Sequence, residues 1–226
     1  VTLMVESLNI FKKSKLINII INHKRYKKVI IFKKKLPLLI EDITNKGKFV
    51  YIVLEKGYAI GFTLGMTGHF WIPNISKEFK TLEGYKYNNK HNHIEINTSK
   101  GSFFFNDPRL FGHFYVFNEK ELDKKLNTLG PDILHDVPKM SQNNFNELFL
   151  KVRNTSVLAD VLLNQKIISG IGNIYRCEGM YLAKIHPLRT IGSLNLNDKK
   201  RLKKSLVKAV VNGYKSQKET LHLYNL

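Results

Sequence analysis

Two glycines and an asparagine, Gly170, Gly172 and Asn173, stand between two stretches of helical apolar spacing, within Leu162-Leu163-Asn164-Gln165-Lys166-Ile167-Ile168-Ser169-Gly170-Ile171-Gly172-Asn173-Ile174-Tyr175. Glycine reaches backbone angles closed to other residues, and asparagine is a preferred N-cap. A helix that starts after such a turn aims free N–H groups and the positive end of its dipole at one point, which makes a site for an anion. Backbone amides and the Asn173 side chain could then hold a phosphate. The same residues also suit an ordinary tight turn, and the motif alone does not choose. Lys151 and Arg153 lie upstream and are phosphate candidates by charge and location only.

Charge favours the phosphate. The 226 residues carry 37 Lys and Arg against 18 Asp and Glu, a formal net charge of +19. Such an excess repels itself on folding, and a polyanionic partner is the most economical reason for it. Nucleic acid comes first and an anionic membrane surface second. A lysine-rich composition with solvated faces is the bland reading. No apolar run is long enough to span a bilayer, and the first residues do not read as a signal peptide. The expected location is therefore cytoplasm, nucleoid or nucleus, not outside the cell, with no membrane partner. The single cysteine, Cys177, excludes an internal disulfide framework and a four-cysteine zinc site within these residues.

The elements that must carry these residues change character along the chain. The first half reads as strands: Phe49–Leu54 and Tyr58–Leu64 around Lys56-Gly57, His93–Ile96 and Phe103–Phe105 around Lys100-Gly101, and Phe114–Phe117. Val1 to Lys13 reads as a leading helix. Helical spacing takes over from about Asn143, with Phe145, Leu148 and Phe149, then Val157, Leu158, Val161 and Leu162. A third helix is expected over Ile174–Ile185, with Ile174, Cys177, Tyr181, Leu182 and Ile185 on one face, and a fourth from Asp198 to about Tyr214. Gly130-Pro131 and Val137-Pro138 mark a linker. The expected class is α+β. An antiparallel β-sandwich with a leading helix occupies 1–120, a linker 121–140, and a helical domain 141–226.

The turn, with Glu178 and Leu182-Ala183-Lys184-Ile185-His186-Pro187 after it, resembles the helix-two-turn-helix of the formamidopyrimidine-DNA glycosylase/endonuclease VIII family. So do Gly47-Lys48-Phe49, Leu64-Gly65-Met66-Thr67-Gly68, His91-Asn92-His93-Ile94, Asn106-Asp107-Pro108-Arg109-Leu110-Phe111-Gly112 and Leu129-Gly130-Pro131-Asp132, in the family's order. The resemblance implies a base-excision repair enzyme with glycosylase and abasic-site lyase activity. In that family a duplex lies across a cleft and the damaged nucleotide is flipped out. The resemblance makes Asn173 the turn asparagine on backbone phosphate, His91 a second phosphate contact, and Lys48 a catalytic lysine at the lesion sugar. It makes Met66, Arg109 and Phe111 the trio that fills the void left by the flipped base. Apart from the resemblance, Met66 and Phe111 would read as core and Lys48 as a solvated strand-edge lysine. Gly65 and Gly68, flanking Met66, suggest a loop tip instead.

The family's nucleophile is an N-terminal proline in the pattern Pro-Glu-Gly-Pro-Glu, and Val1 matches the position just after it. Residues ahead of Val1 are therefore expected. The family usually continues into a β-hairpin finger that commonly holds zinc through four cysteines, so a structural zinc belongs to a finger beyond Leu226 and no cofactor to these residues. The implied partner is double-stranded DNA with damaged bases or abasic sites, bound by a monomer. The implied reaction is removal of oxidised bases, 8-oxoguanine and formamidopyrimidines favoured, with β,δ-elimination. A non-catalytic binder of abasic or distorted DNA and an RNA-binding protein are the alternatives.

Overall fold

A computed structural model describes residues 1–26, 35–73 and 89–223, with side chains through 218. Residues 224–226, the end of the expected helical domain, lie outside that set. The chain divides into two compact units, Val1–Asp123 and Lys124–Asn225.

The first unit opens with α1 (Thr2–Leu8), prolonged by a turn of 3-10 helix over Asn9–Phe11. The expected helix to Lys13 is shorter, because Lys12 leaves helical geometry at ψ +143° and Lys13 follows at φ +60°. Eight strands follow: β1 (Lys15–Ile21), β2 (Leu38–Lys46), β3 (Phe49–Leu54), β4 (Tyr58–Thr63), β5 (His69–Trp71), β6 (Asn92–Thr98), β7 (Gly101–Asn106) and β8 (His113–Asn118). They run antiparallel in the order β5-β7-β6-β1-β2-β3-β4-β8. The β1–β2 junction holds only Lys15↔Leu39 and Leu16↔Leu38, so the ladder turns there. Its two halves then face each other: the Phe62 ring of β4 lies 5.0 Å from Phe70 of β5 and 5.3 Å from Phe105 of β7. That closure makes the sandwich. Alternation drives it, since Val50, Ile52 and Leu54 of β3 are fully buried while Tyr51 and Val53 are only half-buried. Truncating a ring such as Phe62 to alanine would cost about 3–5 kcal/mol.

The expected linker is structured. Its first residues belong to α2 (Glu119–Asn127). Asn118 and Glu121 cap that helix reciprocally: the Asn118 N–H donates to Glu121 Oε2 at 2.9 Å, and the Glu121 N–H to Asn118 Oδ1 at 3.0 Å.

The second unit holds α3 (Gln142–Glu147), α4 (Leu158–Leu163), α5 (Asn173–Ala183) and α6 (Leu196–Leu223). Helix α5 packs on α6 through Gly179, Met180 and Ala183. Contact is so close that a Cβ on Gly179 would lie 2.4 Å from Leu206. The face that carries the large apolar side chains is therefore mostly the outer one: Ile174 is 73% and Tyr181 82% exposed, and Cys177 and Leu182 are exposed too. Close approach selects the small residues, and the large apolar ones are left outside. A second reciprocal cap starts α6: Asp198 N–H to Asn195 Oδ1 at 2.8 Å, and Asn195 N–H to Asp198 Oδ2 at 3.2 Å. Arg189 and Arg201 lie 3.0 and 2.7 Å from the same carboxylate.

Candidate nucleic-acid interface

Strands β2 and β3 pair as far as Lys46↔Phe49, which leaves Gly47-Lys48 as the hairpin tip. Lys48 is exposed there, yet burial of its ammonium among protein atoms holds the pKa below the ordinary lysine value. The start of α1 reaches this tip: the Asn45 amide donates to Gly47 O at 3.0 Å and to Thr2 Oγ1 at 3.4 Å.

Met66 and Phe111 are 69% and 54% exposed, as loop-tip residues and not core. Arg109 is exposed beside them, with Nη1 3.9 Å from the Met66 sulfur. Gly65 brings the loops together: at φ +61°, it leaves no room for a side chain, since a Cβ would lie 2.8 Å from the backbone and Cβ of Phe111. Residues of two loops far apart in sequence therefore form one projecting group. Apolar wedges beside a guanidinium can enter a gap in a base stack and hydrogen-bond the base left unpaired.

His91 lies half-buried at the end of a 3-10 turn over Asn89–His91. Its ring centroid is 6.0 Å from that of His93, which is 4.9 Å from His23. Burial holds the His93 pKa low. The Asp107 carbonyl opposes that by accepting from Nε2 at 3.0 Å, and the neighbouring imidazoles add to the lowering.

In the second unit, Gly172 and not Asn173 is the N-cap of α5. Asn173 is the first helical residue, exposed, in the turn whose N–H groups point outward. The turn is held by a residue not singled out from the sequence. Gln165 Nε2 donates to Leu163 O at 2.9 Å and to Ile171 O at 3.0 Å, and its Oε1 accepts from the Gly170 N–H at 2.9 Å. Gly170 takes φ +100° to meet it. The Gly130–Ile133 segment braces the other side, with Gly130 N–H to Gln165 O, Ser169 N–H to Pro131 O and Ile133 N–H to Ser169 O, each 2.9 Å. Lys151 and Arg153 are exposed between α3 and α4.

Comparison with known proteins gives this arrangement a family. Residues 5–114 match the formamidopyrimidine-DNA glycosylase N-terminal domain, and 129–225 match the formamidopyrimidine-DNA glycosylase H2TH domain. The formamidopyrimidine-DNA glycosylase of Rickettsia felis is 32% identical over 225 residues, covering 92% of this chain and 76% of that protein. The chain belongs to the formamidopyrimidine-DNA glycosylase family. The Glaesserella parasuis formamidopyrimidine-DNA glycosylase is 33% identical over 178 residues, spanning 76% of this chain and 60% of its own length. The fold agrees with that of Lactococcus lactis Fpg bound to an abasic-site DNA, at TM-score 0.74 and 24% identity, over 91% of this chain and 74% of that one. Another structure of that Fpg, with oxidised-pyrimidine DNA, gives TM-score 0.74 at 23% identity, with the same coverage.

This family member offers no zinc cage among the described residues. No three His, Cys, Asp or Glu side chains gather as ligands, and the one cysteine lies exposed on α5. A zinc finger's donor set does not fit these residues. Among the described residues no helix is long and apolar enough to cross a membrane.

Proposed function

We propose that this protein is a DNA glycosylase with abasic-site lyase activity, acting as a monomer on oxidised bases in duplex DNA, with 8-oxoguanine and formamidopyrimidines as the favoured substrates and β,δ-elimination as the outcome. One observation carries the reading. Met66, Arg109 and Phe111 project together from two loops, and their chemistry suits the gap left by a flipped nucleotide. The relatives' name, formamidopyrimidine-DNA glycosylase, supports the glycosylase part of the reading. Asn173, Gly170 and Gly172 then hold backbone phosphate through the α5 turn, with His91, Lys151 and Arg153 as further phosphate contacts. Lys48, its pKa lowered, exchanges a proton at the lesion sugar more readily than a solvated lysine would. The nucleophile that the family resemblance implies is a secondary amine, which attacks C1′ as the base leaves and forms the imine that permits strand cleavage.

Binding to an abasic-analogue duplex and to its intact counterpart, over a range of salt, tests the reading. Six to eight phosphate contacts give log K against log salt a slope of about −5 to −7. Tighter binding to the abasic duplex is expected. A flat salt response removes nucleic acid as the partner. A non-catalytic binder of the same fold would match these results but release no base.

A further inference from the structure

We infer that the Thr67 hydroxyl and the buried Asp107 carboxylate form a clamp that positions Met66, Arg109 and Phe111 as one unit and thereby sets discrimination of the base opposite the lesion. The inference rests on the role proposed above for the trio and names the residues that make it selective.

Arg109 and Phe111 are exposed, so little packing of their own fixes them. What holds their loop is a carboxylate with no exposed surface. Asp107 Oδ2 accepts the Gly112 N–H at 2.7 Å and the Tyr26 hydroxyl at 3.3 Å. Its Oδ1 accepts the Thr67 hydroxyl at 2.9 Å. The same hydroxyl oxygen accepts the Arg109 N–H at 3.3 Å. Thr67 is thus both donor to the carboxylate and acceptor from the residue that carries the guanidinium. It follows Met66 directly, so one hydroxyl links the loop bearing the apolar wedge to the loop bearing Arg109 and Phe111.

The rest of the loop needs such a hold. Leu110, between Arg109 and Phe111, takes φ +58°, a conformation that costs a side-chain-bearing residue free energy. Its N–H reaches back to Asp107 O at 3.2 Å, the carbonyl that also accepts from His93. Asp107 therefore fixes the loop through its backbone and both carboxylate oxygens. Removing the Thr67 hydroxyl leaves a buried acceptor short of one donor and frees the Arg109 amide. The guanidinium then samples more positions, and its hydrogen bonds to the unpaired base lose the geometry that distinguishes one base from another.

The test compares wild type, Thr67→Val and Thr67→Ser in the full chain. Valine keeps the shape without the hydroxyl, and serine keeps the hydroxyl. Fluorescence anisotropy measures Kd for a duplex with a tetrahydrofuran abasic analogue opposite each of the four bases, and for an intact duplex. The spread between best and worst opposite base should shrink about fivefold or more in Thr67→Val, stay within about twofold of wild type in Thr67→Ser, and leave intact-duplex affinity nearly unchanged in both. Amide exchange at Arg109 should quicken in the valine variant only. If Thr67→Val does not fold, Thr67→Ala carries the same comparison. An unchanged spread in the valine variant, or an equal loss in the serine variant, overturns the clamp while the functional reading stands. A wild-type chain that binds abasic and intact duplex equally overturns that reading and the clamp with it.

Discussion

Replacing Gln165 with alanine tests whether the phosphate turn is built by side-chain hydrogen bonds or by backbone geometry alone. Gln165 makes three contacts, two as donor and one as acceptor, all between 2.9 and 3.0 Å. A net hydrogen bond contributes about 0.5–1.5 kcal/mol. The side chain is half-buried, so water replaces part of what is lost, and about 2 kcal/mol of unfolding free energy should disappear. The Gly170 N–H then loses the acceptor that fixes it at φ +100°, and the anion-facing end of α5 loosens. Urea denaturation followed by circular dichroism gives the stability change, and anisotropy with abasic duplex gives the binding change, expected to be a weakening. Gln165→Glu sharpens the test. It keeps the acceptor for Gly170 but sets a carboxylate against two carbonyls and beside the proposed phosphate. Binding should fall further than with alanine. A stability change under about 0.5 kcal/mol, the range of an ordinary surface substitution, with unchanged DNA affinity would refute the brace.

Two further outcomes follow from neighbouring residues. Asn173→Ala should weaken abasic-duplex binding by about 1–3 kcal/mol with little change in stability, since the Asn173 side chain is exposed; unchanged affinity would remove its role at the phosphate. Burial alone would raise the Asp198 carboxyl, but the Asn195 N–H, Arg189 and Arg201 outweigh it and hold the pKa below the ordinary 3.8. A depressed carboxyl contributes stability that is fully present above 3.8 and lost as pH falls through the lower folded value. Asp198→Ala should therefore cost about 1–2 kcal/mol at neutral pH, and the gap to wild type should narrow in acid. A gap independent of pH would show that the arginines do not act through the carboxylate.

The sequence shows the β3–β4 and β6–β7 hairpins and β8 because their runs are rich in aromatic and β-branched residues and the two turns hold Lys56-Gly57 and Lys100-Gly101. It hides β1 and β2. Register shifts between Leu16 and Asn18, and between Ile40 and Asp42, break the period of two, so Ile17 and Ile20 point outward beside buried Leu16 and Ile19. The buried face of α5 is hidden for a different reason: apolar size does not mark it, and Gly179 and Ala183, four apart, line the face that admits Leu206. Motif resemblance singled out Lys48, Met66, Arg109, Phe111 and Asn173. The residues that hold those groups in place were not legible. Thr67 and Asp107 meet across 40 residues, and no local pattern announces a buried carboxylate with donors from three segments. Gln165 lay within the quoted motif, but only the fold shows both ends of its amide in use.

The most direct test of the account is borohydride trapping on a duplex containing 8-oxoguanine, with released base measured alongside. Two polypeptides are compared: the chain beginning at Val1, and the same chain extended ahead of Val1 by Pro-Glu-Gly-Pro-Glu. Attack on C1′ is sensitive to placement, and a misplacement of about 1 Å can cost a hundredfold. The extended polypeptide should form a covalent adduct, release the base and nick the strand. Lys48→Ala in that background should slow the reaction by about 10²-fold or more. The chain beginning at Val1 should bind abasic duplex and form almost no adduct. Efficient trapping by that shorter chain would make another amine, Lys48 first among them, the nucleophile. An extended polypeptide that binds the duplex but gives no adduct and no free base would contradict the assignment as a glycosylase.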